Sequence, residues 1–479
     1  MWATAISIAA VGLIKLVFNI VIGRSYGEDV LGEVSIALAI IMISSTVCGA
    51  GIGAGTTRLV SRKLESDPLA VKGTYGGALI TIALASIVAA SFLMIFSDEI
   101  SDYLGIEVVL VYFVSIVSIL RALYLLLRGM MYGLDIIERY YKIELFADVL
   151  FLSALFITVS ISDYENVFLP FVIMYLAFIL ISSLSVHRTI GKPLFSRAML
   201  SKTASSSGIF TLGTASSTGM TNMGFVLGAI WIAKADIGLF SAAFQIAAIF
   251  LIITQITNNV LFPAFARMGA RGDIDGLKRA YGKALYFLAL IAIVISGTIA
   301  LSAPHVLNIL FGPGFEDAGL MLEIMLLGTA LYIVASPAVS FLTSSRITDV
   351  WISAKASFLA AAAAIIFWVS ALDYTGPIGL PIGILIGQAV QSAIPLVVSA
   401  TRLKEGFGKT RRTILIGIGL FTATRVLAEY LEFEVAWIAA VIFLLATLSV
   451  FRKDILELIT IGLKSLKELA GSAVSGRDD

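Results

Sequence analysis

Asp67-Pro-Leu-Ala-Val-Lys72-Gly-Thr-Tyr75-Gly76-Gly-Ala78-Leu79-Ile-Thr-Ile-Ala83-Leu84-Ala-Ser-Ile87-Val88 returns 206 positions later as Asp273-Ile-Asp-Gly-Leu-Lys278-Arg-Ala-Tyr281-Gly282-Lys-Ala284-Leu285-Tyr-Phe-Leu-Ala289-Leu290-Ile-Ala-Ile293-Val294. Ten of these 22 aligned positions are identical without a gap, more than shared apolar composition supplies. The same offset carries Gly32, Ser35, Ala37, Ile40 and Ile43 onto Gly238, Ser241, Ala243, Ile246 and Ile249. A duplication of this size in a membrane chain builds two lobes about a central path, with a substrate site between them. The repeat therefore points to a transporter.

Composition supports a membrane setting. Apolar residues make up 59% of the chain and charged residues 14%, with a mean hydropathy of +1.00. A soluble domain carries roughly a quarter charged residues to cover its surface. The net charge of +1 supplies no field to draw the chain to nucleic acid. A single cysteine, Cys48, excludes an internal disulfide and any multi-cysteine metal site, and two histidines make zinc chemistry an unpromising expectation. No metal and no cofactor is expected. The chain enters its first apolar run at Trp2 without a basic leader, which reads as an uncleaved first span.

Apolar runs long enough to cross a bilayer as helices, about 20 residues each, fall at 2–22, 30–50, 73–95, 108–127, 145–162 and 167–186. A second set falls at 208–231, 237–258, 281–301, 319–342, 354–372 and 379–399, and a final pair at 413–428 and 435–451. The expected fold is all-α and polytopic, with about 14 transmembrane helices. Charge sorting supports the count: every Lys and Arg except Lys15, Arg24, Arg121, Lys234 and Arg425 falls on one side of the alternating connections. The opposite side is acidic, with Asp98, Glu99, Asp102, Glu107, Asp163, Glu165, Glu432 and Glu434. The basic side reads as cytoplasmic and holds both termini, as expected for a multi-pass protein of the cell membrane. Six spans separate equivalent points, so the halves share one orientation and their pseudo-twofold axis runs along the membrane normal. The expected organisation is a six-helix lobe over 1–188, a basic, serine-rich cytoplasmic linker over 189–207 and a second lobe over 208–402. A helix pair over 412–451 and an amphipathic interfacial helix over 452–472 follow.

Short motifs add a family resemblance. Gly27-Glu-Asp-Val-Leu31-Gly32-Glu-Val-Ser35 resembles the first inter-span connection of prokaryotic polysaccharide flippases, and Ala235-Asp-Ile-Gly238-Leu-Phe-Ser241-Ala-Ala243 is its echo. Leu261-Phe262-Pro263-Ala-Phe-Ala-Arg267 followed by Lys278 and Tyr281, and Leu310-Phe311-Gly312 with Phe315 and Ala318, fit the same pattern. These flippases share a superfamily with multidrug/toxin extruders and lipid II flippases. The resemblance implies translocation of a polyprenyl- or dolichyl-diphosphate oligosaccharide from the inner to the outer leaflet, with H+ or Na+ as candidate coupling ions. The partners it implies are lipid-linked oligosaccharide and membrane lipid, and the working unit a monomer; the chain is not expected to be an enzyme. Drug extruders of the superfamily resemble one another in carrying intramembrane carboxylates in the first or seventh span. Here the first span has Lys15 and no acid, and the seventh has no charge before Lys234.

Among candidate site residues Lys15 stands first. A cation near mid-bilayer costs about 2.5–3.5 kcal/mol on insertion scales and is normally turned toward water or a partner. Thr4, Ser7, Lys15 and Asn19 share a helical face and make a polar stripe. The alternative, snorkelling to the nearest interface, asks the stem to reach about 12 Å. Arg24 and Arg267 are expected at a cavity rim if they face inward. Arg58, after the glycine series Gly49 to Gly55, is either an anion-capturing cation or a positive-inside anchor. Arg121 shares its face with Ser118 and, two turns on, Arg128, whereas Glu144 and Asp148 lie on one face of the next span. These are expected to form a structural ion pair, with an ion relay as the alternative. Arg425 with Glu429 reads as local helix support. The second lobe offers Asn222, Gln245, Gln255 and Asn258 for sugar hydroxyls, although such groups also bond helix to helix.

The leading function is alternating-access translocation of the lipid-linked oligosaccharide, and the alternative is cation-coupled drug/toxin antiport on the same fold. A membrane-embedded glycosyltransferase is a distant third, because the acidic clusters lie on short connections without a soluble domain.

Overall fold

The computed structural model describes residues 2–457 and 460, apart from 65, 162–163, 196, 345–346, 404–407 and 431–435; side chains at 2–12, 197–210, 347–348, 427–430 and 436 also lie outside the description. The described residues form helices and connecting turns. In chain order these are α1 (Trp2–Ser45), α2 (Gly51–Lys63), α3 (Pro68–Ile95), α4 (Ser97–Leu104), α5 (Val108–Gly133), α6 (Ile137–Ile161) and α7 (Leu169–Ile190). The second half holds α8 (Arg197–Trp231), α9 (Lys234–Ala270), α10 (Ile274–Leu301), α11 (Ala303–Phe311), α12 (Gly319–Ser344), α13 (Ile347–Thr375) and α14 (Gly379–Leu403). A last pair, α15 (Gly408–Tyr430) and α16 (Ala436–Val450), follows. Over the described residues, each of the fourteen apolar runs read from the sequence falls mainly on one of these helices. The chain is a polytopic, all-helical membrane protein.

α1 and α2 together make two passes. Gly27, at φ 83°, breaks α1. Lys15 Nζ then approaches Met42 Sδ to 3.8 Å, whereas 27 residues of straight helix would span about 40 Å. The limb before Gly27 therefore folds back on the limb after it. That second limb passes through one π-helical turn, Thr46–Ala50, before continuing as α2.

The repeat is repeated in three dimensions. Both bounds of α3 map onto those of α10 at the 206 offset, and the starts of α4 and α11 match in the same way. The N-caps match too. Asp67 accepts from Ala70 N at 3.0 Å and Asp273 from Gly276 N at 2.8 Å, each replacing a bond the first helical turn cannot make internally. The offset then changes. Gly312 (φ 106°) and Gly314 (φ 93°) stand in an enlarged turn after α11, and α12 starts 211 positions beyond α5.

Helices α1 and α9 form the main contact between the halves, and its symmetry is explicit at the acidic end. A β-carbon on Gly32 would lie 2.0 Å from the Lys234 carbonyl oxygen, and one on Gly238 would lie 2.0 Å from that of Glu28. Glu28 and Lys234 are themselves repeat equivalents, so only glycine at both places lets the backbones meet. One turn deeper, Ser35 Oγ donates to Ser241 Oγ at 2.6 Å in a buried contact between equivalent residues.

Two further clasps cross the halves here. Arg24 donates from Nε to Leu310 O at 2.8 Å and from Nη2 to Ile309 O, capping the end of α11. Lys234 pairs with Glu33 at 3.5 Å and its stem lies over Gly105, the left-handed cap of α4. Each half thus sets a cation against the carbonyl end of the other half's short helix, the favourable end for positive charge.

The stretch expected as a linker is helical from Arg197, and α8 packs along both halves, against α2 and α3 as well as α13. Arg425 binds Glu323 of α12 at 3.0 Å; the expected partner Glu429 has its side chain outside the described residues. The expected interfacial helix is described as helical only over 452–457, and its remainder is outside the described residues apart from 460.

Candidate functional site

A cavity of about 440 Å³ lies between the halves, beneath the Ser35–Ser241 contact. Its first wall comes from α1, α5, α6 and α7. From this wall Lys15, Arg121 and Arg128 reach the cavity, with Asn19, Phe18, Tyr140 and Phe171 around them. The second wall comes from α8 and α9: Thr218, Thr221, Asn222 and Phe225, then Phe244, Gln245 and Gln255. Among the described residues no aspartate or glutamate lines it. One wall is cationic, the other neutral and rich in hydroxyl and amide groups.

Local contacts fix these side chains. Asn19 Nδ2 donates to Lys15 O at 2.8 Å, and its buried Oδ1 has no hydrogen-bond partner among the described residues. Arg121 Nη1 donates to Ser45 Oγ at 2.6 Å and lies 3.5 Å from Thr46 Oγ1. Those two acceptors flank the start of the π-helical turn, so the local widening of the helix presents its hydroxyls to Arg121. Arg128 lies between the Tyr132 and Tyr140 rings, 5.8 and 5.9 Å from their centroids, a cation–π arrangement that leaves its charge uncancelled. Lys15, Arg121 and Arg128 are near enough for their charges to act on one another. Three cations with no carboxylate on the same surface repel each other, and an anion entering between them relieves that repulsion.

Several expected site residues are placed elsewhere. Arg24 is spent on the α11 carbonyls, because those orphan acceptors lie closer than the cavity. Arg58 is half-buried with a partner of its own and is not on the cavity wall. Arg267 is exposed and also absent from the wall. Asn258 accepts from Ser340 Oγ and so joins α9 to α12. The expected ion pair of Arg121 with Glu144 or Asp148 is not formed. Arg121 turns to the α1 hydroxyls, and Glu144 accepts from Tyr124 at 2.7 Å. Thr4 and Ser7 of the polar stripe lie outside the described side chains. The structure does bring together Lys15, Asn19, Asn222, Gln245 and Gln255. It adds Arg128, whose signal was its spacing two turns after Arg121 on the same face, and Tyr140, an ordinary core aromatic by sequence.

Helices repeated about an axis with a polar cavity on that axis define a membrane transporter. A family model described as polysaccharide biosynthesis protein matches residues 31–320. The chain belongs to that family. No curated protein matches it. Among solved structures, the inward closed lipid II flippase MurJ is similar at a TM-score of 0.72 and 12% identity, covering 95% of this chain and 98% of that one. An inward-facing multidrug resistance MATE transporter of the MOP superfamily is similar at 0.65 and 15%, over 84% and 98%. A MOP superfamily transporter from Pyrococcus furiosus, described as having a binding pocket of reverse polarity, is similar at 0.55 and 15%, over 84% and 95%. These likenesses concern the fold.

Proposed function

We propose that the chain moves a lipid-linked oligosaccharide, its headgroup a diphosphate, from the cytoplasmic to the outer leaflet of the cell membrane by alternating access. The observation that carries this reading is the cavity's charge: Lys15, Arg121 and Arg128 face it, and among the described residues no carboxylate does. A diphosphate cannot enter hydrocarbon as an ion. A hydrated cationic cavity removes most of that barrier while the lipid tail remains in the bilayer. The amides and hydroxyls of α8 and α9 offer hydrogen bonds to sugar. Membership of the polysaccharide biosynthesis family and likeness to a lipid II flippase both support the assignment.

The basic end of the molecule is the cytoplasmic one in this reading, and both termini lie there. The cavity is sealed at the opposite, acidic end by the glycine crossing and the Ser35–Ser241 bond. Two negative charges moving outward through an inside-negative potential of about 100 mV gain roughly 4–5 kcal/mol, enough to give direction. By fold alone, cation-coupled drug antiport fits equally. Such a function calls for an acid facing the substrate, and the cavity presents cations instead.

The test is transport of a labelled polyprenyl-diphosphate sugar by reconstituted protein. A charge-assisted contact is worth about 1.5–3 kcal/mol, so Lys15→Met and Arg128→Met should each weaken headgroup binding roughly 10- to 100-fold. Lys15→Arg should retain part of the activity and Lys15→Glu should abolish it. Equal transport before and after Lys15→Glu, at equal protein levels, would sink the anion cavity.

A further inference from the structure

Behind the cationic wall lies a group that the transport reading leaves unused. Glu144 is 5% exposed and belongs to the middle of the protein's first half. One oxygen accepts from Tyr124, and the other, Oε2, is buried without a partner. Asp148, one turn further along α6, is 6% exposed, and neither carboxylate has a cation within ion-pair distance among the described residues. An ionised carboxylate left in this state has an uncompensated desolvation cost. In the arrangement seen here Glu144 is therefore best carried as the neutral acid.

Its relation to the cavity is direct. Tyr124, which donates to Glu144, lies one helical turn before Arg128. Tyr140, whose ring covers the Arg128 guanidinium, lies one turn before Glu144. Arg128 and Glu144 thus flank the same two tyrosines, near enough for their charges to interact.

We propose that Glu144 is a proton-binding site linked to the substrate site through Arg128. With the cavity empty, Arg128 pairs with ionised Glu144. When an anionic headgroup draws Arg128 to the cavity surface, Glu144 is left unpaired and takes a proton from water. The structure shows the side-chain placement of the second arrangement, with Arg128 on the cavity wall and Glu144 Oε2 without a partner among the described residues. Headgroup binding and proton uptake then favour one another, and by linkage the affinity rises as pH falls. The groups facing Glu144 are Tyr124 and Arg128 from α5, Tyr175 from α7, and Tyr140 and Asp148 from its own helix. Arg128 favours the ionised carboxylate and Asp148 opposes it. A site that must release its proton to recapture Arg128 needs that balance. The inference rests on the anion-cavity reading and adds to it a coupling of substrate charge to protons.

The experiment is calorimetric titration of the detergent-solubilised full chain with a short-chain prenyl-diphosphate-linked sugar. This is a diester whose two charges stay ionised across the working range. Repeating each titration in two buffers of different ionisation enthalpy counts the protons taken up. Wild-type protein should take up close to one proton per headgroup where Glu144 titrates, and its affinity should fall by up to tenfold per pH unit as pH rises. Glu144→Gln should bind as tightly as wild type does at low pH, with no uptake and no slope; Glu144→Asp should keep the uptake. Binding by wild type without uptake overturns the proposal and leaves the anion cavity standing, and this measurement needs no variant to fold. Uptake that persists in Glu144→Gln, or that vanishes in Asp148→Asn instead, also overturns it. Failure of wild type to bind the diester at any pH removes the anion cavity itself, and this inference with it.

Discussion

Replacing Gly32 by alanine puts a carbon where the backbone of the other half already stands. The added β-carbon would lie 2.0 Å from the Lys234 carbonyl oxygen, and such a pair needs about 3.3 Å. The two helices must part by roughly 1.3 Å to admit it. The Ser35–Ser241 bond, now 2.6 Å, would stretch to about 3.9 Å and cease to be a hydrogen bond. Overpacking costs about 1–3 kcal/mol, and stranding two buried hydroxyls costs about 1–3 kcal/mol more. Together these come to about 2–6 kcal/mol against the sealed acidic end, and even the lower bound moves the ratio of sealed to open molecules roughly 30-fold. Spin labels at Tyr103 on α4 and Ile309 on α11, both exposed, in a Cys48→Ser background, would report it by electron–electron distance measurement. Gly32→Ala and Gly238→Ala should both broaden the distribution toward longer distances. Gly269→Ala should not, because a β-carbon there meets nothing within 4 Å. Wild-type distances and wild-type transport in both crossing variants, at normal abundance, would refute the view that this contact holds the seal.

Accessibility tags provide a second check: in intact cells residues 192 and 272 should be shielded and residues 103 and 164 reachable, and exposure of 192 or 272 would reverse the assigned orientation. Arg425 and Glu323 should show a favourable coupling of about 0.5–1 kcal/mol in a double-mutant cycle of thermal stability; additive single-mutant effects would mean that the bridge does not tie α15 to α12. Arg121→Met and Asp148→Asn should be additive in the same kind of cycle, since Arg121 is held by Ser45 rather than by the carboxylates of α6.

The helices and their symmetry were legible because they follow from local rules. Apolar runs of bilayer length mark the spans, and the structure adds Asp67 and Asp273 as the caps that start two of the helices. The identities in that pair of helices also give the offset that relates the halves. The short helices α4 and α11 went unread because each is only two or three turns, too short to stand out as a span; α4 is polar besides. The offset fades in the sequence after Phe311 because the enlarged glycine turn shifts the register, although the helices beyond it continue to correspond. Side-chain partners were less legible. Charge and approximate depth suggested Arg121 with Glu144 and Asp148, but the π-helical turn at Thr46 offered Arg121 nearer acceptors. Arg24 looked like a cavity cation until a helix end from the other half came within reach. Whether a cation faces a cavity or a carbonyl depends on how two halves meet, and spacing within one helix does not encode that.

The Ser35–Ser241 contact has one more implication, because a residue meets its own counterpart only on the symmetry axis. Off that axis, Lys15 corresponds to Thr221, Asn19 to Phe225, Ala39 to Gln245 and Met42 to Ala248, and every one of these lines the cavity. A true dimer of identical six-span subunits would have to repeat each choice on both walls: lysine facing lysine, or threonine facing threonine. Joining the copies in one polypeptide lifts that restriction. Each wall can then diverge on its own, one toward charge and the other toward neutral polarity, so a ligand with two chemically different ends can be held in a single orientation.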